Sequence, residues 1–334
     1  MSIDSSFTFY FQDAFKKRPL FLYFRGSVFP RVLVPVVIFA AYSTVFVFFA
    51  SVGLAPLLHV SLVPILTIVT GLLVSLRANS SYDRWWEGRK LWSSLTGNIR
   101  SFSRVLWYSV EREADGVDDD DVIDAMNLLV AFAFAIKYHL RGEDGYQYSD
   151  LTDRLPQGYL AVIEKRRNGR VDKERRGRRD TNKFVDNLPL EILTLLFTYS
   201  SMFKHHGRLD HGIFNHLSAL THSMTEQLSS FERILTTPIP LAFMIHLRQM
   251  VTLYCVSLPP QLYTQTGWYC IPITAIAAFT FFGVDAIGKE IENPFGYDAN
   301  DLPVDKFCND LLSELVVVFE SKGLNPQGWK KKNS

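Results

Sequence analysis

The chain has 334 residues, with 35 Lys and Arg against 34 Asp and Glu, which gives a net charge of +1 at pH 7. A balance this close to zero excludes bulk electrostatic attraction to nucleic acid as the basis of function. Its three cysteines, Cys255, Cys270 and Cys308, show no metal-type C-x-x-C spacing, and we expect no disulfide framework.

The chain begins with a charged, aromatic segment and then turns apolar. Residues 1–27 lack the short apolar core of a signal peptide, so we interpret them as a cytosolic amphipathic segment that precedes the first span. No charged residue follows Arg31 until His59. We predict a membrane-spanning helix over about residues 33–57, which is long enough to cross a bilayer core of ~30 Å.

The second apolar segment is the one around which the rest of the chain is organised. We predict a span over about residues 60–76, whose helical periodicity continues through a charged, Trp-rich stretch to about Tyr108. Within the span, Ile68, Leu72 and Leu76 recur every four residues and therefore share one helical stripe. Such a stripe can line a pathway, while Leu66 lies on the far side of the same helix.

The charges that flank these two spans predict their orientation. The link between the spans carries no Lys or Arg, whereas basic residues precede the first span and follow the second. By the positive-inside rule, both ends of the hairpin face the cytosol.

A helical cytosolic region is predicted next. The acidic run at residues 118–121 is expected to favour the positive end of the helix that follows, rather than to bind a divalent cation. Residues 122–140 are apolar on nearly all faces, yet Asp124 and Lys137 favour a buried helix over a membrane span. The basic stretch at residues 164–180 reads as a loop, for which nucleic-acid or lipid-headgroup binding are minor alternatives.

Two further soluble helices are predicted over residues 188–203 and 214–235. The histidines between them, at positions 205, 206 and 211, favour a solvated loop over a metal site because of their spacing. No catalytic signature of the nucleophile, metalloprotease, P-loop or dinucleotide-binding kind occurs in the chain. We therefore expect a protein that is not an enzyme.

A second hydrophobic hairpin is predicted over about residues 239–258 and 263–284, with its turn near Pro259 and Pro260. His246 and Arg248 fall inside the first of these segments. Because charge in lipid is costly, they should face a protein interior or a water-filled cavity, or Arg248 should snorkel or pair with a carboxylate.

The last predicted elements are an acidic loop and a helix. Asp298, Asp301 and Asp305 surround Asn300, a density of carboxylates that can hold a hard cation but more often caps a helix. A final helix is predicted through Leu311 to Phe319.

Four short motifs occur in a particular order along the chain. They read RGS at residues 25–27, YDRWWEGRKLW at residues 82–92, TPIP at residues 237–240 and IGKEIENPFGYDANDLPVD at residues 287–305. In this order and with four spans, the chain resembles the bestrophin family, particularly its microbial and fungal branch. The resemblance covers nearly the whole length.

The resemblance implies an all-α membrane protein that forms a homopentameric ion channel. Each subunit would contribute four spans and a cytosolic helical region, here about residues 77–236 and 285–334, with one pore on the fivefold axis. The family's hydrophobic neck falls on Ile68, Leu72 and Leu76, the stripe that the period also selects. Its cytosolic constriction falls near Ile213.

The resemblance also raises the question of calcium. Animal members bind calcium after the fourth span, and the matching residues are Asp298 and Asp301, with the backbone of Asn293 and the side chain of Glu290 alongside. A further backbone ligand would come from near Tyr10. The continuous acidic run of animal members is interrupted here, and microbial relatives share this form without calcium gating, so the implied cofactor is calcium or none.

The expected function is therefore a multi-pass integral membrane channel with both termini cytosolic, whose partners are its own copies, membrane lipids and small ions. Chloride and other small anions are the expected cargo, and no nucleic-acid partner is expected. A cation-permeable channel remains an alternative because the neck is aliphatic, and a non-conducting membrane scaffold remains another. The sequence does not indicate which membrane houses the protein.

Overall fold

The computed structural model describes residues 26–111, 119–162, 165 and 187–321. Within these ranges the chain is helical and contains no strand. It divides into two compact units, the first made of residues 1–86 and 238–301 and the second of residues 87–237 and 302–334. The long helices are numbered in chain order as α1 Phe29–Ser51, α2 Leu62–Ser109, α3 Asp119–Arg141, α4 Leu188–His205, α5 His211–Thr236, α6 Leu241–Thr266, α7 Cys270–Ile291 and α8 Val304–Glu320.

The first unit is built from α1, the first part of α2, α6 and α7. Helix α1 packs along α7, and α6 contacts both. Their buried side chains form one apolar cluster that includes Phe39, Leu247 and Val251, and Phe39 stacks on Phe282 with ring centroids 5.6 Å apart. Much of the remaining apolar surface of these helices is exposed in the single chain, as expected where lipid or another subunit covers it.

The second unit surrounds α3. Nearly every residue from Val122 to Leu140 is buried, which confirms the predicted buried helix. Helix α4 packs against α3 and α5, and α8 packs against α3. Trp92 of α2 lies between the rings of Phe231 and Phe307, at centroid distances of 5.4 and 6.0 Å. At the start of α5, the side chain of Asp210 accepts a hydrogen bond from the backbone of Gly212 and caps the helix.

Four segments of the described chain are long and apolar enough to cross a membrane: Phe29–Ser51, a part of Leu62–Ser109, Asp120–Arg141 and Leu241–Ile291. The third has 78% of its apolar window buried inside the protein, so its apolar surface is already covered. The fourth, at 51 residues, comprises both α6 and α7. At ~1.5 Å per residue it is long enough for two crossings of a bilayer core of ~30 Å.

The predicted boundaries of the second hairpin are wrong. Helix α6 continues through Pro259 and Pro260 to Thr266, and the turn is the 3₁₀ segment Gly267–Tyr269, where Gly267 has a φ of +55°. Pro260 lacks the N–H that would bond the carbonyl of Val256 four residues earlier. The hydroxyl of Tyr42 on α1 donates to that carbonyl at 3.1 Å, so the carbonyl of Val256 keeps a hydrogen bond. A neighbouring helix thus compensates for the proline.

Other boundaries differ by smaller amounts. Helix α1 begins at Phe29, where Pro30 suits a first turn, and it ends at Ser51 rather than near residue 57. The chain turns at Gly53, whose φ is +78°. Helix α2 runs for 48 residues without interruption, which confirms that it continues far past its apolar part.

Candidate functional site

The predicted neck stripe is an unpacked face of α2. Ile68, Leu72 and Leu76 are 72%, 61% and 47% exposed in the single chain. All three belong to the first unit, where no neighbouring helix of the described chain covers them. An apolar face of this kind requires lipid or another subunit to cover it.

The opposite face of α2 packs into the first unit. Thr70, Val74, Arg77 and Ser81 are buried there, and at ~100° per residue they lie across the helix from the neck stripe. Leu66 packs against the apolar cluster, as its position on the far side predicts. The apolar part of α2 therefore has one face fixed by its own subunit and one face free.

A buried ion pair anchors this helix directly below the stripe. Arg77, the residue after Leu76, is 1% exposed, and its Nη2 donates to Oε2 of Glu292 at 2.8 Å. Glu292 is 14% exposed, and its Oε1 accepts a hydrogen bond from the backbone N–H of Ile239 at 3.1 Å. One carboxylate thus connects the end of the neck stripe to the segment that leads into α6.

The motifs that carry the family resemblance meet around one loop, residues 292–301, which we call the motif loop. Nε of Arg84 donates to the carbonyl of Glu292 at 3.0 Å, and the indole N–H of Trp85 donates to the carbonyl of Asn300 at 3.1 Å. The side chain of Asn300 donates to the carbonyl of Gly26 at 3.1 Å. With the bond from Ile239 to Glu292, all four motifs share this junction.

The glycine of the NPFG sequence is required by a close approach. A Cβ at Gly296 would lie 2.9 Å from Oδ2 of Asp301, and that oxygen accepts a hydrogen bond from the backbone of Asp298 at 2.8 Å. A larger residue at Gly296 would therefore displace the side chain that closes the loop.

The predicted calcium residues surround a guanidinium group. Arg31 donates from Nη1 to Glu290 at 2.7 Å and from Nη2 to Asp298 at 3.1 Å. The other oxygen of Glu290 accepts from the side chain of Asn300 at 2.9 Å. Asp301 bonds within the loop, and Asn293 is exposed.

This arrangement does not fit a divalent cation. Both oxygens of Glu290 and one oxygen each of Asp298 and Asp301 already accept hydrogen bonds, and a second cation would lie against the positive charge of Arg31. Among the residues that the structure describes, no group of three or more His, Cys, Asp or Glu side chains is arranged to hold a metal ion. Sequence reasoning did not find Arg31, because its partners lie about 260 positions away.

The remaining predicted residues are separately placed. Ile213 lies in the first turn of α5, partly exposed, within the second unit. Arg248 pairs with Asp285 at 3.1 Å, which is one of the predicted alternatives, and His246 is exposed in the single chain. Tyr10, residues 164 and 166–180 of the basic stretch, and residue 118 of the acidic run lie outside the described residues.

Comparison with solved structures identifies the class of protein. Crystal structures of a bacterial bestrophin homolog from Klebsiella pneumoniae, carrying point mutations, superpose with a TM-score of 0.73. One is 22% identical and covers 86% of this chain and 99% of its own, and another is 23% identical and covers 89% and 100%. The fold is therefore that of these bacterial bestrophin structures.

Sequence comparison gives the family. A profile described as "Bacterial/Fungal Bestrophin protein" matches residues 12–317, and the chain belongs to that family. A Nostoc sp. relative is 40% identical over 73% of this chain and 73% of its own length. A Synechocystis sp. relative is 36% identical over 89% of each chain. Both relatives are named voltage-dependent anion channel-forming proteins.

Proposed function

We propose that this protein is the pore-forming subunit of an anion channel and that Ile68, Leu72 and Leu76 line its neck. The observation that carries the proposal is the apolar stripe of α2, which is exposed while the opposite face of the helix packs into its own subunit. Membership of the bestrophin family and the names of the relatives support anions as the cargo.

The assembly that completes this pathway is a homopentamer. A single α2 cannot enclose water, whereas five copies around an axis place five stripes against one another. In each subunit α1, the apolar part of α2, α6 and α7 would cross the membrane, and the flanking basic residues support a cytosolic position for both termini. Mass measurement of the detergent-solubilised particle tests this assembly, and a monomer or dimer that conducts would refute it.

The neck is tested by a matched pair of substitutions on one helix. Leu72→Ala widens the proposed collar without adding charge, so we expect larger or less gated currents, because a narrow apolar collar loses water easily. Leu66→Ala removes a side chain that packs against the core, so we expect reduced expression with unaltered conductance. Single-channel records in which Leu72→Ala leaves conductance and open probability unchanged would reject the stripe as the pore lining.

The sign of charge of the permeating ion requires a separate measurement. The neck is aliphatic, and Ile and Leu side chains attract neither sign of charge, which keeps a cation-permeable channel as the alternative. Reversal potentials in asymmetric NaCl distinguish an anion channel from a cation-permeable one. The reversal potential of an anion channel shifts toward the chloride equilibrium potential. Absence of current from purified protein in planar bilayers would instead favour a scaffold. The proposed second constriction, near Ile213, is tested in the same records by Ile213→Ala.

A further inference from the structure

A cavity of about 700 Å³ lies between α1, α6 and α7 within the first unit. Part of its wall is apolar, from Val32, Pro35 and Phe282. The rest is charged and contains three bases, Arg31, Arg248 and Lys289, and three carboxylates, Asp285, Glu290 and Asp298. This size falls within the range of ~300–1,000 Å³ typical of small-molecule sites.

The basic side chains of the cavity are more exposed than two of the carboxylates with which they pair. Asp285 is 10% exposed and accepts from Nε of Arg248, whose side chain is 57% exposed. Glu290 is 5% exposed and accepts from Arg31. Two of the three carboxylates therefore lie behind the guanidinium groups that they bind. The third carboxylate, Asp298, is half-exposed and accepts a hydrogen bond from Arg31, so a ligand in the cavity meets the exposed nitrogen atoms together with one carboxylate that is already paired.

Two of these bases have unused donors. Arg248 engages only Nε, so its two terminal nitrogens have no partner among the described residues. Lys289 is exposed and has no ion pair or hydrogen bond within the described chain. It follows Asp285 by one turn of α7, so it projects from the same face of that helix. A pair of free guanidinium nitrogens and a free ammonium group suit a phosphate.

The position of the cavity indicates which kind of phosphate compound it binds. It lies at the start of α1 and near the end of α7, where the apolar sequence of the predicted spans gives way to charge. A ligand there meets apolar side chains on one side and bases on the other. We propose that this cavity binds the phosphate headgroup of an anionic phospholipid, with Arg248 and Lys289 contacting the phosphate and the acyl region lying against Phe282. This assignment does not depend on ion conduction.

Lys289→Gln is the principal test, because Lys289 has no ion pair or hydrogen bond among the described residues and we expect its loss to leave the fold intact. The full-length protein in detergent is titrated with phosphatidylglycerol, with phosphatidylcholine and with inorganic phosphate, while thermal unfolding is followed. We expect phosphatidylglycerol to raise the melting temperature more than phosphatidylcholine does. Loss of one phosphate contact should weaken apparent lipid affinity about fivefold in Lys289→Gln, with recovery in Lys289→Arg.

Two controls make the outcome decisive. Lys90→Gln removes an exposed lysine outside the cavity and should leave the lipid response unchanged. The double variant Arg248→Gln/Asp285→Asn removes the second phosphate contact without leaving a buried charge, and it should weaken lipid binding as well. An equal response to both lipids, or a full response in Lys289→Gln, would overturn the proposal. A response to inorganic phosphate that lipid does not exceed would assign the cavity to free phosphate and overturn the lipid assignment.

Discussion

The ion pair between Arg77 and Glu292 gives the sharpest prediction about stability. The guanidinium is almost fully buried, and the carboxylate that neutralises it also holds the backbone of Ile239. Removing one partner of a buried pair leaves an uncompensated charge and typically costs ~3–5 kcal/mol. At a sensitivity of ~2–4 °C per kcal/mol, Glu292→Ala should lower the melting temperature by about 6–20 °C.

The matched control is an exposed ion pair of the same chemistry. Arg100 and Glu314 form a two-point contact in which both side chains are close to half-exposed. Such pairs contribute ~0–1 kcal/mol, so Glu314→Ala should lower the melting temperature by at most about 4 °C. Both variants are compared by intrinsic tryptophan fluorescence of the solubilised full-length protein during heating.

A double variant separates the charge from the packing. Arg77→Met/Glu292→Gln removes both charges and keeps most of the side-chain volume, so it should recover much of the stability that Glu292→Ala loses. If Glu292→Ala and Glu314→Ala lower the melting temperature equally, that result refutes the idea that burial of Arg77 makes its ion pair more important for stability. If the double variant is no better than Glu292→Ala, the loss is one of packing, because the amide introduced by Glu292→Gln keeps an oxygen that can accept from Ile239.

Three further predictions use the same unfolding assay. Tyr42→Phe leaves the carbonyl of Val256 without a donor and should cost about 1–3 kcal/mol, and an unchanged melting temperature would mean that Pro260 needs no compensation. Calcium at millimolar concentration should leave the melting temperature unchanged because Arg31 occupies the carboxylate cluster, whereas a calcium-dependent rise would show that these carboxylates bind the metal. Burial raises the pKa of Asp305, but the hydrogen bonds and positive charges of Arg141 and Lys137 together outweigh burial and lower the pKa below its ordinary value. The stabilisation is therefore complete above the ordinary Asp pKa and is lost as pH falls through the lowered one. Asp305→Asn should be less stable than the unmodified protein at neutral pH, with the difference closing in acid, and a difference that persists there would refute this.

Local sequence determined the helices and the face of α2 that is left unpacked. Uncharged runs long enough to cross a bilayer predict where the apolar helices lie, because each helix satisfies its own backbone hydrogen bonds. The four-residue spacing of Ile68, Leu72 and Leu76 places them on one stripe because a helix repeats every ~3.6 residues. The structure leaves this stripe exposed, while its role in a pore remains the proposal made above.

Tertiary structure alone decided which distant groups meet. Pro259 and Pro260 predict a break in the helix, yet α6 continues through both, and Tyr42, more than 200 positions earlier, supplies the donor that Pro260 lacks. The carboxylates of the motif loop resemble a cation site in sequence, yet the cation beside them is Arg31. In both cases the local sequence pattern depends only on neighbours along the chain. The energy of the hydrogen bond or ion pair depends instead on a distant group that packing brings close. A contact between residues about 200 positions apart produces no periodic pattern in the sequence. Only the folded chain therefore reveals it.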